Sequence, residues 1–283
     1  MRIDYSSRPP IPEMNPNLGH LDNYRRVYSA SEKQVSSEKG DDALADYLAA
    51  YDRLGIDRVV IKARDVETTF GFKLSNEVVA AFCQQHGPRF VGFAGVDPHK
   101  GMSALRELEH AVKELGLIGL NLQCFEHRLP INDKKMYPLY AKCIELDIPV
   151  NIHTGTNFSI KSLMEYGRPA LLDEVMVDFP ELKVCASPVG WPWVQELLAV
   201  AWRHKNVMIG IVALRPKYLK VPDNGYESIL RYGRSVLKQQ IMVGTSYPMM
   251  PIERSIDEFS ELTMSEDIRK LWMGENARRF LKI

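Results

Sequence analysis

The feature that most constrains the fold is an alternation of short apolar runs and amphipathic segments from about residue 41 to the end of the chain. The first pair is DDALADYLAAYDRLG, which has helical spacing and a closing glycine, followed by the β-branched run DRVVIKA. With RID at the N-terminus, the chain has eight strand-like runs. Nearly continuous apolar strands separated by helices are typical of a parallel sheet covered by helices. Eight such units predict one α/β domain over residues 1–283, a (β/α)8 TIM barrel rather than an open sheet.

Residues 8–40 interrupt this alternation immediately after the first strand. The segment is polar, rich in proline and serine, and long for a connection inside a compact domain. Loops of that length are usually active-site lids or disordered segments. Because the segment follows the carboxyl end of strand 1, we expect an extended loop that forms a lid, or stays flexible, over the barrel mouth.

The charge balance excludes several classes of function. The chain has 36 basic and 36 acidic residues, so it lacks the basic excess expected of a nucleic-acid-binding protein. It contains no apolar run of about 18 residues, which predicts no membrane span, and its first residues do not resemble a signal peptide. The four cysteines form no CxxC pair and are expected to be reduced thiols of a cytoplasmic protein.

Polar side chains follow most of the predicted strands, at the end of a barrel where enzymes place their chemistry. These strand-end positions are Tyr5, Ser6, Ser7, Arg8, Lys62, Arg64, Asp65, Asp97, His99, Asn121, Gln123, His153, Thr154, Ser187, Arg215, Thr245, Ser246 and Tyr247.

Six segments, in order along the chain, carry a resemblance to a known family: GFAGVDPHKG, LYAKCIELDIPVNIHTGTN, DEVMVDFPELKV, GWPWVQE, GTSYPMMP and ENARRFL. The sequence resembles the amidohydrolase-related barrels, which include aminocarboxymuconate-semialdehyde decarboxylase, γ-resorcylate decarboxylase and related lactone hydrolases. The resemblance implies small carboxylate, lactone or ring-cleavage substrates, and hydrolysis or nonoxidative decarboxylation. It also implies a homodimer or homotetramer.

The resemblance further implies metal ligands at the ends of four strands, and this sequence matches one of them. The family's His-x-His on strand 1 falls on Ser6 and Arg8, its strand 5 histidine is His153, and its strand 6 histidine and strand 8 aspartate fall on Ser187 and Ser246. Serine hydroxyls are poor zinc ligands, and a guanidinium opposes a cation. We therefore predict no catalytic metal and no cofactor. A replacement site from His99, His127 and Cys124 is the alternative.

His153 and Arg8 are the first candidate catalytic residues. An imidazole titrates near neutral pH, so His153 is predicted to move a proton; the alternative is an inherited residue that only forms hydrogen bonds. Arg8 is predicted to bind a substrate carboxylate through two parallel hydrogen bonds. The alternative for Arg8 is an ion pair with Asp4 or Asp65.

Ser187 and Ser246 are the other catalytic candidates, either as nucleophiles activated by His153 or as hydroxyl donors to an anion. The alternative is that both serines only fill the space left by lost ligands. The predicted substrate-binding residues are Ser6, Asn121, Gln123, Trp191 and Tyr247. For the two amides, a polar residue satisfied beside the pocket is an equal alternative. For Trp191, packing of the helix after strand 6 against the barrel or a neighbouring subunit is the favoured interpretation, and stacking on a substrate is the minority one.

These residues together predict a metal-independent enzyme that acts on a small carboxylate or aromatic-derived acid. Its reaction would be that of a lactonase-like hydrolase or of a decarboxylase-like or hydratase-like lyase. The alternative is a non-catalytic descendant that serves as a binding or partner subunit. An enzyme is expected to keep an enclosed cavity at the barrel mouth, whereas a structural partner is expected to have it filled by side chains.

Overall fold

Eight parallel strands form a nearly closed barrel, which confirms the predicted fold. The computed structural model describes residues 1–37 and 42–283. Each strand pairs with the next along the chain. The strands are β1 Ile3–Asp4, β2 Arg58–Lys62, β3 Phe90–Gly95, β4 Leu120–Leu122, β5 Val150–His153, β6 Val184–Ser187, β7 Val207–Ile211 and β8 Ile241–Val243.

The barrel closes where the first and last strands meet. The backbone N–H of Tyr5 donates to the Val243 carbonyl at 2.9 Å, and the N–H of Ser246 donates to the Ser6 carbonyl at 2.7 Å. These bonds continue the parallel ladder past the ends of β1 and β8. They therefore bring the residues that follow the first strand beside those that follow the last, although more than two hundred residues separate them in sequence.

Helices connect the strands and cover the outside of the barrel. They are α1 Asp22–Ser37, α2 Ala43–Leu54, α3 Glu67–Phe70, α4 Asn76–His86, α5 Met102–Lys113, α6 Cys124–His127, α7 Tyr137–Glu145, α8 Leu171–Asp178, α9 Val194–Arg203, α10 Glu227–Gly233, α11 Ile252–Ser260, α12 Glu266–Lys270 and α13 Asn276–Leu281. A short antiparallel hairpin, Arg64–Val66 and Phe72–Leu74, follows β2. Within the described residues, no helix is both long and apolar enough to cross a membrane.

The segment after β1 differs from the loop expected over residues 8–40, because α1 occupies Asp22–Ser37; residues 38–40 lie outside the described residues. The sequence of α1 is largely polar, so it lacks the apolar stripe that marks an amphipathic helix. Tyr24 and Tyr28, one turn apart, pack edge-on against Phe158 with ring centroids 5.4 and 5.9 Å away. Such i,i+4 aromatic contacts hold a largely polar helix at the barrel mouth.

A small apolar cluster fills the barrel interior below the mouth. Tyr5, Phe93 and Met242 are fully buried there, and Phe280 of the last helix packs against them. The rings of Tyr5 and Phe93 meet edge to face at 6.1 Å. This close packing leaves the upper, carboxyl end of the strands as the part of the barrel where a ligand fits.

Candidate active site

A cavity of about 400 Å³ lies at the carboxyl ends of the strands. Its walls come from the ends of β1, β2, β4, β5, β6 and β8, and its upper side comes from residues between Met14 and Tyr28. This volume suits a small organic molecule. Among the predicted site residues, the lining includes Ser6, Arg8, Asn121, Gln123, His153, Ser187, Ser246 and Tyr247.

Trp191 is the predicted substrate-binding residue that does not line this cavity. Its side chain is 40% exposed and lies against the backbone of Gly225. The backbone N–H of Thr156 donates to the Trp191 carbonyl at 2.6 Å and holds the loop in this position. Trp191 therefore lies in the loop after β6, outside this cavity, and its role in substrate binding stays a prediction.

Arg8 reaches the cavity without a partner. Among the residues that the structure describes, its guanidinium forms no ion pair and no hydrogen bond, although its backbone N–H donates to the Tyr247 carbonyl. Burial, together with the like charge of Arg64, lowers the pKa of Arg8 to about 10. The group is therefore charged at neutral pH and has hydrogen-bond donors available to an anion.

Neither acid considered as a partner for Arg8 is available to it. The Asp4 carboxylate accepts hydrogen bonds from the Tyr51 hydroxyl at 2.8 Å and from the Thr245 hydroxyl at 2.7 Å. Asp65 forms ion pairs with Lys100 at 2.6 Å and Lys73 at 3.4 Å. The ion pair proposed for Arg8 with either acid is thus absent from the structure.

Lys62, at the end of β2, is a second cation on the cavity wall. Its Nζ donates to the Tyr5 carbonyl at 3.0 Å and lies 4.7 Å from the centre of the Tyr5 ring. No carboxylate in the described part of the chain pairs with it. Burial lowers its pKa to about 8. Sequence reasoning placed Lys62 at a strand end but gave it no role, because a lysine closing an apolar strand has no spacing signature.

Arg64 and Glu126 form a third charged group on the wall. Glu126 is fully buried, lies 3.3 Å from Arg64 and accepts a bond from His20 at 2.7 Å. Burial tends to raise the pKa of Glu126, but the charge of Arg64 and the contact with His20 outweigh burial and hold that pKa below its usual value. The His20 ring also stacks on Phe70 at 3.9 Å. Glu126 therefore neutralises Arg64 and ties the segment before α1 to the barrel.

His153 lies on the opposite wall, buried at the end of β5 with its ring edge-on to Phe125 at 4.6 Å. Its Nδ1 has no hydrogen-bond partner within the described residues. Burial lowers its pKa to about 4, and the charge of Glu126 offsets only part of that effect. The imidazole is therefore held mainly in its neutral form at pH 7, and its role in proton transfer stays a prediction.

The two serines predicted as nucleophiles are engaged elsewhere. The Ser187 hydroxyl donates to Asn151 Oδ1 at 2.8 Å, and the Ser246 hydroxyl accepts a bond from the Ala213 N–H at 2.9 Å. Neither hydroxyl is hydrogen-bonded to His153. The predicted activation of a serine by His153 is therefore not formed, because the nearest backbone and amide groups already hold both hydroxyls.

The amides on this wall form a connected set. Gln123 and Asn151 both donate to Asn121 Oδ1, at 3.1 and 2.9 Å, and Asn121 donates to the Ala63 carbonyl at 3.0 Å. Asn121 is therefore largely satisfied by the protein itself. Gln123 and Asn151 lie on the cavity wall, where their remaining polar atoms can meet a ligand.

The residues at the mouth do not fit a catalytic divalent metal. In residues 1–37 and 42–283, no group of three or more His, Cys, Asp or Glu side chains is placed to hold one. The family's ligand positions carry one imidazole beside hydroxyls and a guanidinium, whereas catalytic zinc uses about three anionic or imidazole ligands. The alternative set also fails, because His99 Nε2 is bonded to the His127 carbonyl at 2.8 Å.

Two curated proteins are similar to this chain in sequence. A 2-keto-4-carboxy-3-hexenedioate hydratase from Sphingobium is 43% identical over 75 residues, which cover 22% of each chain. A 2-amino-3-carboxymuconate-6-semialdehyde decarboxylase from Dictyostelium discoideum is 23% identical over 73% of this chain and 65% of its own length. The match thus covers less than two thirds of the length of either relative.

An uncharacterized TIM-barrel protein from Bordetella bronchiseptica has the same fold along nearly its whole length. It superposes with a TM-score of 0.83 at 27% identity and covers 99% of this chain and 98% of its own. The family model described as Amidohydrolase matches residues 21–283. The barrel, the order of its strand-end motifs and this match together show that the chain is a member of the amidohydrolase family.

Proposed function

We propose that this chain is a metal-independent lyase that adds or removes water or carbon dioxide on a small acid with two or more carboxylates. The observation that carries the proposal is the charged, unpartnered guanidinium of Arg8 inside a cavity of about 400 Å³. A partly buried arginine with no counter-ion among the described residues is unfavourable, so a ligand carboxylate is the natural partner.

The charge balance of the wall supports a substrate with more than one carboxylate. Four cations line the cavity, namely Arg8, Arg25, Lys62 and Arg64; Glu126 is paired with Arg64 and Asp22 with Arg25. Two cations are left over for a ligand. A mainly uncharged or cationic substrate would leave both uncompensated in a partly desolvated site, which is unfavourable.

The relatives support the same reaction class. Their names describe a hydratase and a decarboxylase, both lyases, and both names describe acids with several carboxylates and a keto or aldehyde group. Lyase chemistry on such acids needs a carboxylate anchor and a group that accepts electrons from the breaking bond. Arg8 would provide the anchor, and Lys62 would hold or move the proton.

Hydrolysis fits the site less well. A lactonase or amidase needs water activated by a metal or by a good base. His153, with a pKa of about 4, is a weak base, and the hydroxyls of Ser187 and Ser246 are held by Asn151 and by the Ala213 backbone.

The alternative of a non-catalytic partner subunit is motivated by the replaced ligand positions. In a barrel that served only through its outer surface, side chains would be expected to fill the cavity at the mouth. Here the cavity is open and holds an arginine that has no partner among the described residues. The cavity therefore favours the enzyme.

The test is a turnover screen with the full chain. Protein with quantified metal content is incubated with 2-oxo di- and tricarboxylic acids and with aromatic carboxylic acids, with and without chelator, and followed by proton NMR and by release of carbon dioxide. We expect turnover that resists chelators and falls at least ~100-fold in Arg8→Gln, as for loss of a charge-assisted carboxylate contact. Arg203→Gln, an exposed arginine on α9, is the matched control.

Two results would contradict the proposal. One is activity that scales with bound metal and disappears with chelator. The other is no binding or turnover of any carboxylate by well-folded protein.

A further inference from the structure

We propose that Lys62 is a nucleophile that forms an imine with the carbonyl carbon of a 2-oxo acid while Arg8 holds the neighbouring carboxylate. This inference rests on the proposed function of the same cavity and names the substrate class as 2-oxo carboxylates.

The first support is the position of the amine. Lys62 Nζ lies on the cavity wall at the end of β2, above the Tyr5 ring, and among the described residues it donates one hydrogen bond, to the Tyr5 carbonyl. Arg8 lines the same cavity, close enough for its charge to act on Lys62. A carboxylate and an adjacent carbonyl carbon are one bond apart, so both groups can engage a single small 2-oxo acid.

The second support is a contrast with other lysines near the mouth. Lys73 and Lys100 are paired with carboxylates, which raise the pKa of both lysines despite the opposing effect of burial. Lys62 has no such partner among the described residues, and burial lowers its pKa to about 8. About a tenth of its amine is therefore uncharged at pH 7, which is the form that attacks carbonyl groups.

The third support concerns the other groups among the described residues that could accept electrons or attack a carbonyl. The two serine hydroxyls on the wall are already hydrogen-bonded to other groups. The donor set at the mouth does not suit a metal that could polarise the carbonyl. Burial raises the pKa of Cys124 and Cys185 to about 12, so both thiols stay protonated. An iminium ion would supply the electron sink that the cavity otherwise lacks.

The chemistry balances without a redox partner. The Lys62 amine forms a C–N bond to the substrate's carbonyl carbon, the carbonyl oxygen leaves as water, and the imine takes up one proton. The iminium then accepts the electron pair of the bond that breaks at the neighbouring carbon. This bond is either C–H, whose proton leaves with the β-hydroxyl as water, or C–C, with release of carbon dioxide. Reprotonation and addition of water regenerate the carbonyl product and the free amine.

The experiment traps the imine in the full chain. The protein is incubated with pyruvate or 2-oxoglutarate, reduced with sodium borohydride, and analysed by intact mass and peptide mapping. We expect one reduced adduct per chain on the peptide that contains Lys62, and trapping that rises with pH as the amine deprotonates. Lys62→Arg should lose the adduct, and Arg8→Gln should reduce its yield about tenfold at low ligand concentration.

Lys113→Arg is the matched control, since this exposed lysine of α5 is paired with Glu109 outside the cavity. Adducts spread over surface lysines, or no adduct at saturating ligand, would overturn the inference. Chelator-resistant, Arg8-dependent turnover without trapping would refute the imine and leave the proposed function standing. Absence of both turnover and trapping would refute the imine and the proposed function together. Because peptide mapping uses the unmodified chain, the outcome does not depend on whether Lys62→Arg folds.

Discussion

The two sides of the barrel mouth differ sharply in charge. The side built by the ends of β1 and β2, here called the cationic side, carries Arg8, Lys62 and Arg64. The side built by β5, β6 and β8, here called the hydroxyl side, carries His153, Ser187 and Ser246. On the hydroxyl side, both serine hydroxyls are hydrogen-bonded to neighbouring groups, while His153 is held in its neutral form and its Nδ1 has no partner among the described residues. The difference indicates that the charge available for chemistry now lies at the first two strands.

Packing explains why the two sides behave differently. The two serine hydroxyls on the hydroxyl side are hydrogen-bonded to their neighbours, Ser187 to Asn151 and Ser246 to the Ala213 backbone. On the cationic side, Arg8 has no such neighbour and Lys62 has one carbonyl. A buried cation without a partner is unfavourable in the free protein and becomes favourable when an anion binds.

The largest expected effect separates the two sides by activity. Lys62→Met should lower kcat about 10³-fold, because it removes the group that we propose to carry the chemistry. Ser246→Ala should change kcat less than ~10-fold, since its hydroxyl is engaged with the backbone. Steady-state kinetics on the acid found in the turnover screen measure both. Equal losses in the two variants would contradict the division into two sides.

The second effect concerns His153 and the pH dependence of stability. Its pKa of about 4 in the folded protein lies below the ordinary 6.5, so the unfolded chain binds more protons between these values. The contribution of His153 to the free energy of unfolding should therefore be fully present above about pH 6.5. It should decrease as the pH falls toward 4, by on the order of 3 kcal/mol. Urea unfolding at several pH values measures this loss.

His153→Gln should reduce that pH dependence. His127, whose pKa burial also lowers to about 4, titrates in the same window and remains in the variant, so part of the loss should persist. His127→Gln should remove a comparable share. An unchanged pH profile in His153→Gln would show that the imidazole is not held neutral.

The third effect tests how the cationic side is held together. Glu126→Gln should lower the free energy of unfolding by about 2 kcal/mol, because it leaves the partly buried Arg64 without its countercharge. Glu253→Gln, which breaks the exposed pair with Arg53, should cost less than about 1 kcal/mol. Chemical denaturation compares them, and similar losses in both would contradict a structural role for buried Glu126.

The smallest effect belongs to the hydroxyl side. Ser187→Ala should cost about 1 kcal/mol of stability, since one buried hydrogen bond to Asn151 is lost. It should leave the yield of trapped imine unchanged within twofold. A strong drop in the yield of trapped imine would show that Ser187 on the hydroxyl side takes part in the reaction.

Much of the fold followed from sequence pattern, and part of the site did not. Eight apolar runs were enough to predict the barrel, because strands that are buried on both faces are apolar along their whole length. The helix α1 was missed because a largely polar segment anchored by Tyr24 and Tyr28 lacks an apolar stripe. The placement of Trp191 could not be predicted, because a large aromatic residue after a strand can face the cavity or the loop, and the sequence does not fix which.

The sequence by itself determined which chemical groups stand at the strand ends. Only the tertiary structure decided which of those groups are free to act. The physical reason is that a side chain's reactivity depends on its partners and burial. Asp4 and Asp65 are engaged elsewhere while Arg8 is not, and burial, rather than residue type, brings the Lys62 amine toward neutrality.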